Sequence, residues 1–227
     1  MGMSAVQHDP RWPTTAAGTT PAEPYDPTAS ATDELARQVR AHLRLGTAAA
    51  LGWTEDALTA AVARLTPPPN APAHDDHIPF VLVLDPAPSN ALVPAMRRGS
   101  RPGVSVIDDE ELATYRTLDT ERVPTGPYLL VDVDTGAEFC NQTPEHALTV
   151  LRERGRAALT IAEGLALVTV RPDMLRPNKC FSLMASRTTN QRVPAIWISE
   201  RRPKLGWCWD RNPHTWLGAA SAADRVG

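Results

Sequence analysis

The stretch most able to do chemistry is the C-terminal run 193–218, which holds four of the six tryptophans, Trp197, Trp207, Trp209 and Trp216. Between them stand Arg201, Arg202, Lys204, Asp210, Arg211, Asn212 and His214. Indoles offer large, rigid contact area, and guanidinium or imidazole groups at their rim add charge and hydrogen bonding. An aromatic cleft of this kind suits a planar or anionic ligand, so Trp207, Trp209, Arg211, Asn212, His214 and Trp216 are the expected ligand-binding residues. Strand alternation would place Trp207 and Trp209 on one face and Cys208 with Asp210 on the other. The plainer alternative is that the indoles fill the core of a β layer poor in Leu and Ile.

Two thiol chemistries compete with that reading. Cys208 or Cys180 could act as nucleophile, with His214 as base and Asp210 orienting it, which makes these four the catalytic candidates. Nothing in the sequence supplies an oxyanion hole or a basic setting that would activate a thiol. Zinc could take Cys140 and His146 from CNQTPEH together with Cys208 and His214 from CWDRNPH. Two C-x5-H pairs depart from knuckle spacing, however, so no residue is assigned to metal and no cofactor is expected.

Three smaller constellations deserve weighing. Asp132 and Asp134 in LLVDVDTG share a strand face, similar to the first motif of haloacid-dehalogenase-type phosphatases. The Gly and Thr that follow stand in the opposite order and no later acidic pair completes a metal site, so an exposed strand edge with polar exit residues is expected. HDDH at 74–77 reads as a solvated loop, because four adjacent residues do not converge on one ion without a scaffold. Arg97, Arg98 and Arg101 around Gly99 and Pro102 could grip a phosphate, but no P-loop or G-x-G-x-x-G accompanies them, and a solvated basic loop is the expectation.

The elements that must position these groups follow from periodicity and caps. Residues 1–30, with Trp12 as their one bulky apolar exception, read as a disordered tail. Leu35, Val39 and Leu43 recur behind Thr32 as cap, and Leu58, Val62 and Leu65 behind Thr54, which predicts a helical pair over 31–66. PPPNAPAHDDH at 67–77 is a proline-rich linker or loop, and an α+β main domain occupies 78–227. In it, IPFVLVL at 78–84 suits a strand covered on both faces, 104–107 a short strand, DDEELATYR a helix beginning at Asp108, and PYLLVDVD a further strand. Thr143 with Pro144, and Thr160 with Glu163, open two more helices. The end, KCFSLMAS, VPAIWISE and GWCWD, reads as antiparallel β. The order favours α+β over a doubly wound sheet.

Composition bounds the partners. A chain of 227 residues at net charge -3 presents no bulk field for nucleic acid or anionic lipid. No apolar window is long enough to span a bilayer, the first thirty residues lack a secretory pattern, and three cysteines cannot all pair within the chain. A cytoplasmic protein with free thiols is expected. The 22 prolines imply long irregular segments, and the two lysines, Lys179 and Lys204, leave positive charge mainly to Arg.

GRAALTIAEGLALVTVRPDML, NKCFSLMASR, VPAIWIS, YLLVDVDTG and above all PKLGWCWDRNPHTWLG resemble an uncharacterised family of actinobacterial proteins, a domain of unknown function. The likeness spans most of 78–222 and implies no activity, cofactor or catalytic residue. The expectation is therefore a noncatalytic binding module for a small molecule or protein partner, with a Cys/His enzyme or zinc-stabilised domain as the alternatives.

Overall fold

The computed structural model describes residues 23–227. Helix α1 (Ala31–Arg44) is capped by Ser30, whose side chain accepts the Asp33 N–H, two residues earlier than the expected Thr32. A short turn of helix α2 (Thr47–Ala50) and helix α3 (Glu55–Val62) follow, the latter capped by Thr54 as expected and ending ahead of Pro67. Strand β1 (His77–Val83) leads to a small hairpin of β2 (Arg97–Arg98) and β3 (Arg101–Pro102), then β4 (Val104–Ser105), α4 (Asp109–Leu112) and β5 (Arg116–Thr117). Strand β6 (Tyr128–Asp134), α5 (Pro144–Glu153), β7 (Ala157–Ala158) and α6 (Ile161–Val170) come next. The chain closes with β8 (Cys180–Ser182), β9 (Ser186–Arg187), β10 (Arg192–Ser199), β11 (Arg202–Trp209), β12 (Leu217–Ala219), β13 (Ser221–Ala222) and β14 (Asp224–Val226).

Two five-stranded sheets result, and the class is α+β. The first runs β1-β6-β13-β7, all antiparallel, with β14 also pairing β6. The second runs β12-β8-β10-β11-β4; its centre is the expected antiparallel meander, while β12 and β4 add parallel edges. The C-terminal chain crosses from the second sheet to the first at Ala220, against Gly136, where φ is +68° and an added Cβ would lie 1.9 Å from the Ala219 carbonyl oxygen. Only glycine fits that approach.

Strand β1 is buried on both faces, which is why its sequence is continuously apolar. Phe80, Leu82 and Leu84 face Leu35, Leu58, Val62 and Leu65 of the helical pair, and Val81 and Val83 belong to the larger cluster that contains α6. Every residue of α6 is buried. Its Thr160–Glu163 capping box is present as expected, but Glu163 does more than cap. Its carboxylate accepts the Tyr128 hydroxyl at 2.8 Å and Arg225 Nε at 2.5 Å, and Arg225 reaches Glu121 at 2.8 Å, which fastens β14 to the core.

The outer edge of β1 is closed by side chains of α1. Gln38 donates to the Phe80 carbonyl at 3.1 Å and accepts the Leu82 N–H at 2.7 Å, so one amide takes the place of a neighbouring strand. His42 sits beside it with Nε2 3.0 Å from the Leu82 carbonyl. Arg37 pairs with Glu34 at 2.7 Å in a buried setting and donates to the Val170 carbonyl at the end of α6 at 2.9 Å. The expected tail lies, for residues 1–22, outside the described residues. Its remainder is not loose: Glu23 pairs with Arg40 and Arg44 at 2.8 and 3.2 Å, and the Tyr25 ring lies 3.6 Å from the Arg171 guanidinium.

Candidate functional site

The β10–β11 hairpin carries two of the expected binding residues, Trp207 and Trp209. Its strands pair without interruption from Arg192↔Trp209 to Ser199↔Arg202, and Glu200 and Arg201 turn the chain with positive φ, the twist-matched geometry of a two-residue hairpin loop. Alternation then sends Cys208 inward, and Trp207 and Trp209 to the opposite face. The two indoles meet edge to face at 5.1 Å, with Trp207 half-buried and Trp209 48 % exposed. Arg192, directly across from Trp209, lays its guanidinium 3.9 Å from the Trp207 ring centre and 5.9 Å from that of Trp209. Glu111 holds it at 2.6 Å. The aromatic face is thus already braced by the protein's own cation.

Trp197 pairs across from Lys204, so it lies on the other face, with its ring over Gly206. A Cβ at Gly206 would come within 2.2 Å of that ring. Trp216 lies 6.2 Å from Trp197, and His214 lies 5.1 Å from Trp216. The expected binding residues therefore divide between two faces: Trp207 and Trp209 on one, His214 and Trp216 on the other. Beyond Trp209, Arg211 is exposed and pairs with Glu145 at 3.3 Å, and the exposed Asn212 donates its backbone N–H to the Trp209 carbonyl at 3.1 Å. A crevice beside His214 and Asn212 has a free volume of about 10 Å³, room for one water molecule.

The four catalytic candidates make no relay. Asp210 binds Arg187 at 2.9 Å, and no hydrogen bond joins Cys208, Asp210 and His214 among the described residues. Burial pushes the Cys208 thiol up to about 11, against the hydrogen bond of Ser182 and the charge of Arg187. Burial also raises the Cys180 and Cys140 thiols and lowers the pKa of His214. Such thiols are protonated at neutral pH and poor nucleophiles. Among the described residues no three His, Cys, Asp or Glu side chains form a group that could hold a metal ion. Nor, among them, is any helix long and apolar enough to cross a membrane.

One constellation escaped the sequence reading because its parts were judged separately. The register His77↔Asp134 lays HDDH against DVDTG. His77 accepts the Ala73 N–H on Nδ1 at 2.8 Å, so its Nε2 carries the proton and donates to Asp132 at 2.6 Å. Arg156 completes the clamp, donating to the Asp132 carboxylate at 2.7 Å and to its carbonyl at 2.6 Å. Burial opposes ionisation of Asp132, but Arg156 and His77 outweigh it and hold the carboxyl below its usual range. Asp132 adopts φ +53°, a left-handed backbone that these contacts secure. The expectation of an exposed strand edge here is wrong: β6 lies inside its sheet, paired on both sides. HDDH is equally not a free solvated loop, since His74 approaches Asp134 at 3.3 Å and Asp76 pairs with Arg176 and Lys179.

The chain belongs to DUF5701. Residues 41–227 match this family, whose function is unknown. The DUF5701 match reaches further toward the N-terminus than the resemblance of 78–222, taking in the end of α1 together with α2 and α3. No curated protein matches the chain, and no solved structure does.

Proposed function

We propose that the chain is a noncatalytic, cytoplasmic binding module that recognises a protein partner through the open end of the β10–β11 hairpin. Trp209 carries this reading: a strand-held indole, 48 % exposed, braced by Trp207 and by Arg192. Trp and Arg are enriched among the residues that dominate protein interfaces, and here the Arg192 side chain is already ordered by Glu111 and Trp207. Arg211 and Asn212 would form the polar rim, and a flat platform is favoured over an enclosed small ligand because the crevice by His214 admits only one water. Three unpaired cysteines suit a reducing compartment.

The test places a photo-crosslinking amino acid at position 211 in cells that express the chain, alone and with Trp209→Ala. A discrete crosslinked partner that disappears in the Trp209→Ala background supports the reading, provided the purified variant unfolds within about 0.5 kcal/mol of the parent, as expected for an exposed side chain. No discrete product, or one indifferent to residue 209, overturns it.

A further inference from the structure

Away from the indoles, the β2–β3 hairpin and the segment after α6 enclose a hollow of about 370 Å³. Arg97 and Arg98 line one side and Arg176 the other, with Gly99 at the hairpin turn. The hairpin is well anchored: Met96 beneath it is fully buried and accepts the Gly103 N–H at 2.7 Å. Arg97 is itself 6 % exposed, so its guanidinium is placed by packing, while Arg98 reaches solvent.

Charge balance around this hollow is one-sided. Among the described residues in and beside the hollow, Arg98, Arg171, Arg176 and Lys179 stand against two carboxylates, Asp173 and Asp76, and both of these are committed. Asp173 is gripped by Arg171 through two hydrogen bonds of 3.0 and 2.8 Å, and Asp76 is shared by Arg176 and Lys179. Arg176 keeps its Nε–H enclosed with no acceptor among the described residues. An enclosed donor on a charged group is costly unless something accepts from it. A local excess of positive charge on a chain whose net charge is -3 is a feature of this place and not of the molecule as a whole. Asp173 also lines the hollow, with its carboxylate held by Arg171, and the rest of the wall, Pro172, Leu175 and Pro177, is apolar.

We infer that this hollow binds a small phosphate monoester, its phosphoryl oxygens received by Arg98 and Arg176 and its organic part laid on the proline and leucine wall. Guanidinium forks match the geometry of a phosphoryl group, and the volume lies within the range of small-molecule sites. The site is independent of the Trp209 surface.

Calorimetric titration of the full chain with phenyl phosphate tests the assignment. Binding is expected, weaker for inorganic phosphate, which lacks a group for the apolar wall. Arg98→Gln and Arg176→Gln should each weaken phenyl phosphate about tenfold or more, as for loss of a charge-assisted hydrogen bond. Trp209→Ala should bind as the parent does, which separates failure here from failure of the partner reading. Should Arg176→Gln unfold through loss of its Asp76 contact, Arg98→Gln decides, since that side chain is exposed. No heat with phenyl phosphate at millimolar concentration, or unchanged affinity in Arg98→Gln, overturns the assignment. So does binding only to vesicles containing phosphatidate, which would make the phosphoryl source a membrane.

Discussion

Acidification from neutral pH should destabilise the chain through His42. The imidazole is fully buried, and its Nε2 donates to the Leu82 carbonyl at 3.0 Å, which leaves Nδ1 bare and without a partner among the described residues. Protonation would put a charge there with no acceptor, and burial accordingly lowers the pKa from 6.5 to about 4, with Arg37 adding repulsion. The unfolded chain takes up this proton below pH 6.5 while the folded chain does not, so stability is full above 6.5 and is lost as pH falls toward 4. From these two values the loss is about 1.4 kcal/mol at pH 5.5 and about 2.5 kcal/mol at pH 4.5, reckoned at 1.36 kcal/mol per unit. His214, whose pKa is also lowered by burial, contributes in the same direction. Urea unfolding of the parent and of His42→Gln, followed by far-UV circular dichroism from pH 7.5 to 4.5, isolates the His42 share as the difference between the two slopes. Parallel slopes would refute the reasoning. Asp76 and Asp132, whose lowered values matter only below the ordinary carboxylate range, stay outside this window.

Removing the carboxylate in Glu163→Gln should cost about 3 kcal/mol in denaturant unfolding, because Arg225 is left in the core with Glu121 as its one carboxylate partner among the described residues; a loss below about 1 kcal/mol would show that the cluster is not stabilising. Gly206→Ala should cost about 1–3 kcal/mol by pressing on the Trp197 ring, and Gly136→Ala more, since its Cβ meets backbone that cannot yield; equal thermal shifts for the two would contradict this. Alkylation of the native protein at pH 7.5 should be slow at all three cysteines and slowest at the buried pair Cys180 and Cys208, read by mass spectrometry against the urea-unfolded chain; rapid labelling of Cys208 would revive a thiol nucleophile.

Elements whose signals are local were legible in the sequence. Thr54, Thr143 and the Thr160–Glu163 box cap the helices they were expected to open, and the continuous apolar run at β1 is covered on both faces. Alternation alone placed Trp207 and Trp209 together and Cys208 beneath them. Long-range chemistry was not legible. Gln38 and His42 read as ordinary polar positions on α1, yet they close the edge of a strand forty residues away, and no pattern in α1 marks them out. Likewise Arg192 stands seventeen residues before Trp209 with nothing to link them until the hairpin register sets them face to face.

The charged end of the first sheet shows why separate motifs can mislead. HDDH alone lacks a scaffold, and DVDTG alone lacks the rest of a metal site; each judgement is sound for an isolated peptide. Antiparallel pairing of β1 with β6 supplies what both lacked, and it supplies cations as well, since Arg156, Arg176 and Lys179 arrive from later segments. Those cations occupy the carboxylates that a divalent ion would need, so the acidic residues become anchors of the loop rather than ligands. The same pairing holds Arg176 at the wall of the arginine hollow: Asp76 takes one Nη2 hydrogen bond, and the remaining guanidinium N–H donors are left to offer. Asp76→Asn should therefore loosen Arg176 and weaken phenyl phosphate even though residue 76 does not line the hollow, with Arg98 untouched as the internal control. An unchanged affinity in Asp76→Asn would mean that Arg176 is positioned by the Arg176–Lys179 backbone bridge alone.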